Sequence, residues 1–238
     1  MASPLTLLAR WLRPRGGWAP FLLTLAALLS MPATLNVKGD SAEVTRLVLL
    51  VALGLLPGFW LARSRSSARG AIIVGGLLGL LLVVLTVGRI VPPISLLWRE
   101  VGYALDWFPG WLRGEIAWPP PFSYSLAAAW QRAGALGSRL WWWGQAVAGD
   151  AQTQDRIVVE LLIATLVWAS SFFATWQIYR HRTALPGLAP AGIMVTVVAF
   201  FRGEMAFLYL AVYLFCTLCL VAICHLWRQT ERWDQRGT

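Results

Sequence analysis

Cys216, Cys219, Cys224 and the adjacent His225 have the residue types that bind a soft divalent metal, and Cys216-x-x-Cys219 has a zinc-site spacing. A helix turns about 100° per residue, so Cys216 and Cys219 would stand about 60° apart and Cys224 about 140° from Cys219. The three thiols therefore do not converge unless other helices supply ligands. They lie in an apolar run and are expected as buried structural cysteines; three Cys in one stretch also make no extracellular disulfide framework. Carboxylate and guanidinium chemistry is equally sparse. Glu160, Arg202 and Glu204 stand near the ends of apolar runs, where they are expected to reach water rather than to form a proton or ion path. His181 and His225 sit among bases and are expected at a membrane interface. The sequence has no Gly-rich phosphate loop, HExxH, GxSxG or paired-carboxylate frame. No catalytic, cofactor-binding or metal-ligating residue is assigned on these grounds.

The elements that carry these residues are membrane spans. Residues 44–61 and 70–88 are two apolar runs joined by the basic octet 62–69, and the second run has no ionisable side chain. As a helix it is long enough to cross about 30 Å of hydrocarbon. Arg63, Arg65 and Arg69 occupy the turn of this hairpin, and bases beside short loops are retained in the cytoplasm, so the turn is predicted inside. Hydrophobic residues make up 58% of the 238 and charged residues 13%, with a mean hydropathy of +0.63. A soluble domain has about a quarter charged residues, so burial here is predicted against lipid.

An N-terminal cytoplasmic segment, residues 1–17, carries Arg10, Arg13 and Arg15, and residues 18–37 follow as the first span. A signal peptide has the same layout, but cleavage after Ala33 would place Met31 where a small residue is needed. The first three spans thus fill 18–88. Gly54 with Gly58, and Gly75 with Gly79, lie four apart, a spacing that lets helices approach closely, either within the chain or in a dimer.

Residues 89–154 are predicted as an extracytoplasmic amphipathic region. After Pro92 and Pro93, the apolar set Leu97, Trp98, Val101, Ala104, Leu105 and Phe108 recurs at helical spacing opposite Arg99, Gly102, Tyr103 and Asp106. Beyond the break at Pro119, Pro120 and Pro121, residues 125–149 read as a second helix with Arg132 and Arg139 seven apart. Eight of the fifteen Trp fall in 89–154, and indoles partition to the headgroup boundary; a groove for a lipid-linked or sugar substrate is the other use of such a cluster. Residues 94–149 are accordingly expected as an interfacial platform with Arg99, Asp106, Arg132 and Arg139 facing water or a partner. Insertion of 125–149 as a further span would bury Arg132 and Arg139.

Residues 155–227 supply three more spans: 155–181, the short 185–201 with Pro186 and Pro190, and 205–227; a basic tail, 228–238, ends the chain. The expected fold is all-α, a polytopic protein of about six transmembrane helices with both termini cytoplasmic in the inner (plasma) membrane. Segments assigned inside hold eleven Arg and two acids, those outside nine bases and nine acids, so the net charge of +9 is all inside. A basic pI near 10.5 then needs no nucleic-acid partner. The partner implied is the lipid bilayer.

Several runs carry a further likeness: Leu55-Leu56-Pro57-Gly58 through Ala62-Arg63-Ser64-Arg65, Val87-Gly88-Arg89-Ile90-Val91-Pro92-Pro93, the Trp-rich segment, Tyr179-Arg180-His181-Arg182 before Leu185-Pro186-Gly187, and His225-Leu226-Trp227-Arg228-Gln229-Thr230-Glu231-Arg232-Trp233. Together they resemble the N-terminal membrane region of bacterial membrane-anchored transglutaminase-like proteins of the papain-like superfamily. The resemblance implies a further span and an extracytoplasmic domain with a Cys-His-Asp triad, neither of which this chain matches. It thus implies a non-catalytic anchoring or positioning module, with that domain present in cis or in trans. The alternative is a small-solute or lipid-handling permease subunit, which would be expected to show an internal repeat and polar groups at mid-depth.

Overall fold

The computed structural model describes residues 17–35, 41–64, 67–88, 90, 94–114, 120–149 and 155–236. Among them are eight helices and no strand: α1 Trp18–Leu35, α2 Ser41–Arg63, α3 Ala68–Val87, α4 Ile94–Leu112, α5 Ser123–Ala148, α6 Arg156–His181, α7 Ala184–Arg202 and α8 Glu204–Arg236. Six of these, α1, α2, α3, α6, α7 and α8, are long and apolar enough to cross a membrane, and α5 is not one of them. The all-α expectation and the six spans hold, and the chain is a multi-pass membrane protein. At most 44% of any span's apolar window is buried inside the protein, so most of that surface is left for lipid. Arg10, Arg13, Arg15, Lys38, Asp40, Arg65, Arg89, Pro92, Pro93, Glu115, Trp118, Pro119 and Asp150 lie outside the described residues.

Two compact units make up the chain, 1–79 with 165–238, and 80–164. In the first, α1 packs on α2, α7 and α8, and α7 packs on α8. Leu28, Met31, Leu50, Val51, Leu188, Val195 and Leu220 are sealed in its core. Some hydroxyls enter this core bonded to the backbone of their own helix: Thr24 donates to the Pro20 carbonyl at 2.7 Å, Ser171 to Val167 at 2.7 Å and Thr175 to Ser171 at 2.8 Å.

The paired glycines act within the chain. Gly54 and Gly58 of α2 lie against the α6 backbone: a Cβ on Gly54 would stand 2.8 Å from the Trp168 carbonyl oxygen and 3.0 Å from Ser171 Cβ. Gly75 and Gly79 of α3 lie under the rings of Phe172 and Trp168, where a Cβ would overlap the aromatic atoms. Those rings are stacked, 5.3 Å apart and 8° from parallel. One helix, α6, is thus gripped through glycine faces on two others. Helix ends are tied as alternating spans require. Arg202 at the end of α7 donates to the Leu35 carbonyl that ends α1, at 3.2 Å, and Arg180 near the end of α6 donates to Ser64 just past α2, at 3.1 Å.

In the second unit, α4 turns Glu100 inward and leaves its apolar stripe uncovered, with Trp98 71% and Leu105 70% exposed alongside Phe108 and Leu112. Glu100 is 7% exposed, and its Oε1 accepts the Ser125 amide at 3.0 Å. The need is local. Helix α5 starts after Phe122, which has φ 67° and offers no side-chain cap, so a carboxylate from α4 takes the place of a capping residue at the positive end of the helix.

Candidate functional site

The three cysteines do not share one face of α8. Cys216 and Cys224 are buried with Tyr213 and Leu220 on one stripe of α8, while Cys219 lies partly exposed off it. Among the described residues no three His, Cys, Asp or Glu stand close enough to hold a metal ion. His225 is exposed, and His181 is exposed with its ring 4.9 Å from that of Trp176. Tyr179 and its basic neighbours join a collar at the shared end of α2 and α6: Phe59 meets Tyr179 edge-on at 4.9 Å, and the Arg63 guanidinium lies 4.0 Å over the Phe59 ring.

What the fold does assemble is a basic cavity in the 80–164 unit. Helix α5 carries Arg132, Leu136 and Arg139 on one face, since residues four and seven apart project together. Leu136 is buried, and a Cβ on Gly88, just past the end of α3, would stand 3.1 Å from its Cδ2 and 2.5 Å from the Val84 carbonyl oxygen. Both arginines line a cavity with the first turn of α6. The result is an open cavity of about 460 Å³ lined by Val87, Gly88, Arg132, Ala135, Leu136, Arg139, Arg156, Ile157 and Glu160.

Its described lining is rich in arginine. Arg156 Nε donates to Glu160 Oε1 at 2.8 Å, an i,i+4 pair, and the described lining residues include three arginines and one glutamate. Asp155 caps α6 by accepting the Ile157 amide at 3.0 Å. Guanidinium forks match phosphate and carboxylate oxygens, so such side chains are suited to anions; the described lining residues include no Ser, Thr, Cys, Lys or His. A second cavity, about 440 Å³ between α7 and α8, is lined almost wholly by apolar groups such as Leu188, Ile193 and Leu214.

Glu160, Arg132 and Arg139 each drew attention in the sequence as separate features, and the structure brings them together. Arg156 and Gly88 were not singled out as site residues, because nothing in the linear spacing joins positions so far apart in sequence. The seven-residue spacing of Arg132 and Arg139 was the available signal. Comparison of the chain with models of protein families, with curated proteins and with solved structures gives no match.

Proposed function

We propose that this chain is a non-catalytic module of a bacterial plasma membrane that anchors and positions an extracytoplasmic transglutaminase-like domain, joined in cis or bound in trans. Both termini are cytoplasmic in this reading, and α4 and α5 lie on the outer side. The observation that supports it is the uncovered apolar stripe of α4, Trp98, Val101, Leu105, Phe108 and Leu112, with Trp130 and Trp141 exposed on α5. Such surface is unfavourable in water and favourable at the headgroup boundary, where a flat helical layer forms a platform for a domain above it. The resemblance in the Arg, Pro and Trp punctuation gives that domain its chemical class.

The test is the reading frame beyond Thr238 together with affinity purification of the tagged chain from its native membrane. A Cys-His-Asp domain exported on the same polypeptide or purified with it is expected. A frame that stops there, among permease genes and with no such domain recovered, overturns the proposal.

A further inference from the structure

Spans α7 and α8 leave between them a groove of about 440 Å³ that has no role in the anchoring reading. Two small residues and one fixed ring shape it. Ala189 and Gly192 put no long side chain into the space, and Tyr213 of α8 lies across it: a Cβ on Gly192 would stand 3.0 Å from Tyr213 Cε1, and the Tyr213 hydroxyl donates to the Leu188 carbonyl at 2.6 Å. Tyr213 and Leu188 are buried, whereas Leu185, Ile193, Val197 and Leu214 along the same groove are exposed. The groove is therefore continuous with the apolar surface that these two spans offer to lipid.

Its dimensions select the occupant. On α7 the lining runs from Leu185, the second residue of the helix, to Val197, which at 1.5 Å per residue is about 18 Å. Half of a hydrocarbon core is about 15 Å, so the groove opens at a span end and runs just past the bilayer middle. Spread over that length, 440 Å³ gives a mean cross-section of about 24 Å² and a width of about 5–6 Å. An α-helix with its side chains is about 10–12 Å across and does not enter such a slot; a polymethylene chain, one carbon wide, does. The described lining residues include no charged side chain, so a headgroup stays outside.

We infer that this groove holds one acyl chain of a bilayer phospholipid, entering from the Ala184 end of α7 and leaving its headgroup at the boundary. The lipid supplies the contacts that Ala189 and Gly192 withhold, and Tyr213 fixes the depth to which it sinks. The inference requires only that the protein be membrane-embedded, and it stands or falls apart from the transglutaminase-like reading.

The probe is phosphatidylcholine with a photoactivatable diazirine on one palmitoyl chain, added as a trace to phosphatidylcholine vesicles that hold the purified full-length protein. Detergent is titrated in before irradiation, and the labelled peptides are mapped by mass spectrometry. Labelling of Ile73 and Leu77, exposed on α3, should be lost at a detergent-to-lipid ratio at least about tenfold lower than labelling around Leu188 and Gly192. Ala189→Phe/Thr196→Phe fills the groove from two exposed positions. It should cut the α7 labelling by about fivefold or more and leave α3 labelling unchanged, a selectivity that damage to the fold would not produce. The same probe with octanoyl chains, too short to fill the groove, should leave α7 as readily as α3. Palmitoyl labelling of α7 that falls in step with α3 overturns the inference, as does undiminished labelling in a folded A189F/T196F. A stable dimer whose α7 takes no label would show a second copy in the groove and overturns it too. If A189F/T196F does not fold, the octanoyl probe decides: loss in step with α3 supports a chain-length groove, and retention equal to that of the palmitoyl probe overturns it.

Discussion

Gly58 of α2 lies so close to Phe172 of α6 that a Cβ at position 58 would stand 2.7 Å from the Phe172 carbonyl oxygen. No flexible side chain could move aside, because the neighbour is backbone. In lipid, close packing of this kind supplies much of the attraction between spans.

Gly58→Leu is therefore expected to destabilise the folded protein by about 1–3 kcal/mol or more, as overpacking does. Gly79→Leu should do the same by displacing the Trp168 ring. Trp168→Phe should be tolerated better than Trp168→Ala, since the buried indole Nε1 has no hydrogen-bond partner among the described residues to lose. Thermal unfolding of each variant in detergent measures the order.

Glu100→Ala should loosen the start of α5, at a cost of about 1.5–3 kcal/mol, the range for hydrogen bonds to charged groups. Glu100→Gln keeps an acceptor for the Ser125 amide and should cost less. Hydrogen exchange at residues 123–126 is the readout: faster exchange in Glu100→Ala than in Glu100→Gln is expected, and equal protection in all three proteins would remove the capping role.

Gly203 joins α7 to α8 at φ 79° and ψ −155°, a region open to glycine and costly to any residue with a Cβ. Gly203→Ala should lower stability by about 1–3 kcal/mol. Tyr213→Phe removes the hydrogen bond to the Leu188 carbonyl at 2.6 Å and should cost about 0.6–2 kcal/mol, the range measured for bonds between helices in a bilayer. Unfolding in mixed micelles compares the two.

Reporter fusions after Gly70, Gly149, Gly203 and Trp227 should read inside, outside, outside and inside in the orientation proposed. An outside signal after Trp227 with an inside one after Gly203 would show that the alternation is inverted beyond α5.

The spans were legible because hydropathy and length alone define a membrane helix, and 44–61, 70–88 and 155–181 each announce themselves. Helix bounds extend beyond the apolar runs, to Arg63 in α2 and Arg236 in α8, since helical propensity does not stop where hydrophobicity does. Glycine spacing correctly marked contact faces but not the partner. That both pairs meet α6 depends on a chain reversal no local pattern encodes. The amphipathic reading of α4 found its apolar stripe yet missed Glu100, whose inward turn is dictated by the uncapped start of α5. The cavity was least visible because Gly88 follows α3 while Arg139 and Arg156 lie on α5 and α6, far apart in sequence.

The grip on α6 also sets a schedule. Gly75 and Gly79 leave the ribosome about ninety residues ahead of Trp168 and Phe172, which at about 5–20 residues per second is roughly 5–20 seconds. For that interval α2 and α3 are in the bilayer with their glycine faces unfilled. The nascent hairpin is then a target for membrane proteases and for pairing with other small-residue helices, and a pause or truncation before residue 168 would leave it permanently so.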